Sequence, residues 1–236
     1  MSLAESLDIL FEDNHCIAVN KPAGWPTTHF SGEEETVDRL VKAYLKEKHD
    51  KPGNVYLGVV HRLDKPATGV LLFARTSKSA SRLAKQFREV AVEKVYWAVA
   101  QCGVQNSECG MTGTFDDWLL RDDENAITRI AEAEAEGAQR AVTHYSVRVE
   151  QSGLALFELR PQTGRKHQLR AQLASRDMPI YGDRKYGSSH MLGNSIALHA
   201  RALTFLHPTR LEPVTLTAEV PPLWKGRFAH LLKDAK

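Results

Sequence analysis

His61-Arg62-Leu63-Asp64 is followed by Lys65-Pro66-Ala67-Thr68-Gly69 and the apolar run Val70-Leu71-Leu72-Phe73-Ala74. This arrangement puts a carboxylate on a loop entering a buried strand. Such a carboxylate can serve as a nucleophile or a base, and an arginine two residues before it can hold an anion or fill a gap between stacked bases. His61 is suited to ordering the loop through a hydrogen bond, and Gly69 permits the backbone to turn.

A second segment with chemistry is Thr163-Gly164-Arg165-Lys166-His167-Gln168-Leu169-Arg170, which follows the strand ending at Arg160-Pro161. Here the pattern predicts a short helix opening near Lys166. Free amides at a helix start, with the charges of Arg165 and Lys166, invite an anion: a ligand phosphate or a carboxylate from elsewhere in the fold. The plain alternative is a surface ion pair at Arg165 worth under about 1 kcal/mol. The third segment is Lys94-Val95-Tyr96-Trp97-Ala98-Val99, a strand pattern in which Lys94 and Tyr96 share one face. A tyrosine there can stack on a planar ligand or move a proton while the lysine meets a phosphate; its alternative is a core aromatic.

These segments need elements to position them. The 236 residues are 42% hydrophobic and 25% charged, enough for one large domain or two packed halves. Strands are expected at Asp8–Phe11, Cys16–Asn20, Gly69–Ala74, Val95–Ala100, Ile196–Leu206 and Val214–Ala218. A hairpin is expected from 141–149 and 154–160 around Gln151-Ser152-Gly153. Two amphipathic helices are expected, one capped by Thr36 and one by Ser77. The acidic stretch Asp116–Gly137 reads as a loop or small insertion. Strands and helices mix without strict alternation, which favours the α+β class.

Net charge is only +2, but it is unevenly spread. Seven Lys/Arg against Asp177 and Asp183 give residues 160–185 a local +5, whereas eight acids against Arg121 and Arg129 give residues 116–137 a local −6. One basic face could grip a polyanion through Lys166, Arg170, Arg176, Arg184 and Lys185; the alternative is two ordinary solvated surfaces. Cys16, Cys102 and Cys109 lack CxxC spacing and read as reduced thiols of a cytoplasmic protein. No apolar stretch approaches the roughly 20 residues that span a bilayer, and no secretory signal is evident.

In order and spacing, these segments resemble the RluA family of RNA pseudouridine synthases. Val19-Asn20-Lys21-Pro22-Ala23-Gly24, Pro179-Ile180-Tyr181-Gly182-Asp183, Leu198-His199-Ala200 and Phe205-Leu206-His207-Pro208 extend the likeness over nearly the whole chain. The resemblance implies a pseudouridine synthase fold, α+β, with a mixed, mostly antiparallel bent sheet, flanking helices and a central catalytic cleft. It makes Asp64 the catalytic aspartate, Tyr96 the active-site tyrosine, Arg165 the basic partner of the aspartate, Leu198 the floor of the uracil pocket and Arg62 the arginine of the aspartate motif. Many relatives carry a small N-terminal RNA-binding domain; here the catalytic pattern starts within ten residues, so a single catalytic domain over 1–236 is expected. One departure is visible: the family's Thr-Ser-Gly after the aspartate is Ala67-Thr68-Gly69 here.

The implied partner is ribosomal or transfer RNA, with no membrane and no obligate protein partner. The isomerisation needs no redox step or energy input, so neither a cofactor nor a metal is expected. A catalytically silent RNA-binding or RNA-chaperone domain is the competing reading; it would need the basic face but not Asp64, Tyr96 and Arg165 together. A hydrolase would need a Gly-x-Ser-x-Gly turn or an HExxH pair, and the chain has neither. The isomerase reading requires residues 64, 96 and 165 to line one pocket.

Overall fold

The computed structural model describes residues 7–28, 35–102 and 110–233. In chain order the elements are β1 (Ile9–Glu12), β2 (Cys16–Lys21), α1 (Val37–Lys48), β3 (Gly58–Val59), β4 (Thr68–Ala74), α2 (Ser77–Arg88), β5 (Glu93–Gln101), β6 (Thr112–Asp122), β7 (Ile127–Ala131), β8 (Gln139–Gln151), β9 (Leu154–Pro161), α3 (Gln168–Ala174), β10 (Leu198–Leu206), β11 (Pro213–Thr217), α4 (Pro222–Arg227) and α5 (Ala229–Leu232). Most pairings are antiparallel, as an α+β chain with hairpin connections requires. Among the described residues no helix is long and apolar enough to cross a membrane.

The chain forms two compact units. The first comprises the described residues within Met1–Glu93 and Ala200–Glu219. Its strands run β1-β2-β4-β10, with β3 on β4 and β11 on β10. All seven residues of β4 are buried, which is why its sequence reads as a continuous apolar run instead of alternating. Cys16, Ala18, Val70, Leu72, Leu83, Leu203 and Phe205 meet in its core. Thr76, one residue earlier than expected, caps α2 by accepting from the Ser79 amide at 3.1 Å.

Glu12 ties α1 to the β1 edge. Its carboxylate accepts from Lys48 at 2.8 Å and Tyr44 at 3.0 Å, and it pairs with His49 and Arg75. Burial alone would raise its pKa, but these donors hold it down at about 2. A lowered carboxyl pKa stabilises the fold above its ordinary value of 4.5, and that contribution fades as pH falls toward 2. Glu12→Gln is therefore expected to cost on the order of 1–2 kcal/mol at neutral pH and to lose that difference near pH 2. Urea midpoints of both proteins from pH 2 to 7 check this.

The second unit comprises the described residues within Lys94–His199 and Val220–Lys236. Its strands run β5-β9-β8-β6-β7. The acidic stretch expected to be a loop instead supplies the end of β6 and all of β7, paired from Trp118↔Ala131 to Asp122↔Ile127. Its acids mislead because the opposing strand and the turn after α3 supply their partners: Arg140 donates twice to Asp116, at 2.9 and 2.6 Å, and Arg176 meets Asp117 at 2.9 Å. Cross-strand pairing lets a charged sequence form a sheet edge.

Candidate active site

The aspartate loop is held almost entirely through its backbone. Thr27 Oγ1 donates to Leu63 O and accepts from Leu63 N, each at 3.1 Å. Gly24 N donates to Lys65 O at 2.9 Å, and Ala67 N to Asp64 O at 3.1 Å. His61 accepts from Leu72 N at 2.9 Å and stacks on Phe87, ring centroids 4.7 Å apart, contacts that order the loop. Leu63 is buried while Arg62 on one side is exposed and Asp64 on the other is half-buried, so the loop is anchored between the two polar side chains. Gly69 closes the loop with φ +111°, and a Cβ there would come within 2.3 Å of Ala200 O, so no other residue fits.

Lys21 is the group that sequence reasoning passed over. Its side chain is 0% exposed, and Nζ donates to Pro22 O (2.8 Å), Lys65 O (3.1 Å) and Ala67 O (2.7 Å). All three ammonium protons have acceptors, two of them on the aspartate loop. Burial pushes its pKa down to about 7, with the charge of Asp64 pulling the other way. The sole signal in the sequence is a lysine ending an otherwise apolar strand. Because the folded pKa lies below the ordinary 10.5, the unfolded chain binds this proton more tightly, and stability rises as pH climbs from about 7 to 10.5. Lys21→Met is expected to remove that rise, at most ~1.4 kcal/mol per pH unit, measurable as urea midpoints against pH.

In the second unit, antiparallel pairing sets the start of β5 beside the end of β9, with Tyr96 opposite Leu159. The Thr163–Arg165 loop leaves β9 at that point, and Lys94 Nζ reaches Thr163 O at 3.4 Å. Burial lowers the Lys94 pKa. Tyr96 is half-buried, and Leu198 is buried at the start of β10, next to Ala197, whose carbonyl accepts from Val99 N at 3.0 Å. Two expected segments, Lys94–Tyr96 and Thr163–Arg165, therefore meet.

Gln168 shapes the arginine loop, a role its sequence position did not reveal. Its Oε1 accepts from Thr163 Oγ1 (2.7 Å) and Arg165 N (3.0 Å), while Nε2 donates to Val142 O (3.2 Å) and Thr143 Oγ1 (2.9 Å). Helix α3 begins at Gln168, two residues later than expected, so the Arg165 amide is taken by a side chain instead of standing open to an anion. Arg165 itself is exposed, with Nε donating to Arg140 O at 3.1 Å.

The expected phosphate contacts divide. Arg170 is no surface cation: Nε and Nη2 grip Asp183 at 2.6 and 2.8 Å, the side chains being 5% and 1% exposed. Arg176 is committed to Asp117 and lies over Phe115, 4.3 Å from its ring centroid. Neither is placed to hold RNA, because charge-paired groups were counted as a basic face. Lys166, Arg184 and Lys185 are exposed. Neutralising one of these three is expected to flatten the slope of log affinity against log salt by roughly 0.7–0.9 per phosphate contact; Arg176→Gln is expected to leave it unchanged. His207 is buried and 2.7 Å from Asp13. Cys16 and Cys102 are free thiols; Cys109 lies outside the described residues.

The family model described as RNA pseudouridylate synthase matches residues 15–175. The tRNA pseudouridine synthase C of Pectobacterium carotovorum is 33% identical over 245 residues, covering 96% of this chain and 62% of that protein. The ribosomal large subunit pseudouridine synthase D of Xylella fastidiosa is 34% identical over 243 residues, covering 97% of this chain and 70% of that one. Among solved structures, human RNA pseudouridylate synthase domain containing 4 superposes with a TM-score of 0.77 at 29% identity, covering 99% of this chain and 95% of that chain. The chain belongs to the RluA family of RNA pseudouridine synthases, isomerases acting on uridines in RNA.

Proposed function

We propose that this chain isomerises uridines in transfer or ribosomal RNA in the cytoplasm, with Asp64 acting at the ribose of a nucleotide turned out of its stack. The bond from ribose C1′ to uracil N1 breaks, the base turns, and C1′ joins C5; N1 gains a proton and C5 loses one. Asp64 either attacks C1′ or removes a ribose proton. Tyr96 stacks on the base and takes the C5 proton, Arg165 supplies positive charge to the aspartate, Leu198 floors the uracil, and Arg62 fills the gap the base leaves. Lys94 steadies the Thr163–Arg165 loop through its carbonyl contact.

What carries this reading is the clamp on the loop: Thr27, Gly24 and Lys21 hold backbone atoms of residues 63–67, with Arg62 exposed and Asp64 half-buried beside them. Preorganisation of that kind is what an acid needs to meet a flipped nucleotide. Turning a base out costs a few kcal/mol, and stacking on an aromatic returns about 1–3 kcal/mol, so an unpaired uridine in a loop or bulge is the favoured target. Mapping pseudouridine in total RNA from cells with and without the gene tests the proposal. Loss of at least one modified position, restored by the wild-type protein in vitro, is expected; identical maps and no activity on unmodified RNA would refute it.

A further inference from the structure

A cavity of about 380 Å³ opens in the second unit between the turn joining β8 to β9 and the C-terminal helices α4 and α5. That is within the roughly 300–1,000 Å³ of small-ligand sites. Its walls include Leu154, Tyr181, His190, Arg227, Phe228 and His230. The Tyr181 ring is buried, and His190 lies flat against it with centroids 4.4 Å apart and planes 10° from parallel. Phe228 meets Tyr181 edge-on at 5.1 Å.

Arg227 is fixed in place. Nε and Nη2 both donate to the Tyr181 hydroxyl, at 3.0 and 2.6 Å, and the guanidinium lies over the same ring. Those bonds leave Nη1 for something else. His230 Nε2 is shielded from solvent and has no hydrogen-bond partner among the described residues. Among the described residues no carboxylate lines the cavity. An arginine held by a tyrosine, a sheltered ring nitrogen lacking a partner and a described lining without an acid suit an anion that accepts hydrogen bonds. The stacked rings and the apolar Leu154 and Phe228 suit a planar ring beside it. A phosphate joined to a base supplies both.

We propose that this cavity holds one nucleotide of the RNA chain other than the isomerised uridine, its phosphate on Arg227 and His230 and its base against the His190–Tyr181 stack. The inference rests on the RNA-acting reading above and supplies that reading with a second point of grip. Shape and stacking there would let the enzyme sense an unpaired neighbour without reading a base-pair edge.

The test uses the full chain carrying Asp64→Asn, so that no turnover occurs, with ¹³C-labelled histidine. Ring signals of His190 and His230, assigned through His190→Gln and His230→Asn, are followed while pentauridylate, uridine 5′-monophosphate or inorganic phosphate is added. The oligonucleotide is expected to move both signals saturably and to bind about tenfold tighter than the mononucleotide, since neighbouring phosphates add contacts. Arg227→Gln is expected to weaken the oligonucleotide by about tenfold and to flatten its salt slope by roughly 0.7.

Three outcomes would overturn the proposal: signals unmoved by the oligonucleotide, a mononucleotide that binds as tightly as the oligonucleotide, which would make this a site for free nucleotides, or inorganic phosphate moving both rings alone. The titration without the arginine variant decides the matter even if that variant fails to fold. Pseudouridine production by the wild-type chain is scored separately. Turnover with unmoved histidines sinks only the second grip, and moved histidines without pseudouridine in any RNA sink only the isomerase assignment.

Discussion

Asp64→Asn is expected to lower pseudouridine formation by at least ~10³-fold, the scale seen when a group acting directly in bond making is removed, while RNA affinity changes little. Asparagine keeps the size and polarity of the side chain but can neither attack a sugar carbon nor take a proton effectively. The loop should survive the exchange, because its shape depends on Leu63, Lys65 and Ala67 backbone atoms held by Thr27, Gly24 and Lys21. Single-turnover assays on an unmodified transcript containing the target uridine, with filter binding of the same RNA, separate the two effects. An asparagine variant retaining a tenth of wild-type turnover would end the assignment, whatever its affinity.

Arg170→Gln is expected to destabilise the protein by about 3–5 kcal/mol, the cost of leaving one member of a buried ion pair without its partner. Asp183 is 1% exposed, and both of its oxygens are engaged by Arg170. Arg170 also lies over the Tyr186 ring, 4.7 Å from its centroid, so packing is lost with the charge. Tyr186 in turn accepts from Thr128 N at 2.8 Å and pairs with His167 Nδ1 at 2.9 Å, linking β7 to the turn that precedes α3. The loss should therefore loosen the Arg165 loop as well. Equilibrium urea unfolding measures the first effect, and hydrogen exchange at the Thr163–Arg165 amides the second. A variant as stable as the wild type would return Arg170 to the surface role its sequence suggested.

Much of this was legible because periodic burial writes itself into sequence. The apolar run 70–74, the hairpin around residues 151–153 and the helices after Thr36 and Thr76 all appear where the pattern placed them, within a residue or two. The candidate site was legible only as motifs: Arg62 is exposed and Asp64 half-buried around buried Leu63, and Lys94 joins the Thr163 loop. What stayed hidden were pairings between distant positions. Arg170 and Arg176 read as a basic face because nothing local marks Asp183 and Asp117 as their partners. The acids of β6 and of the turns flanking β7 read as a loop for the same reason. Lys21 and Gln168 were invisible as organisers, since their importance lies in backbone carbonyls and amides that have no letter in the sequence.

Gly69 sets an order of events. Its close neighbour, the backbone of Ala200, belongs to a strand that leaves the ribosome only after residues 94–199 of the second unit have been synthesised. The nascent chain thus carries the Asp64 loop long before the strand that packs against its closing glycine exists, and release of a shortened product ending before β10 would leave Gly69 without that neighbour. A ribosome pausing ahead of residue 200 delays completion of the first unit however well the earlier residues have folded.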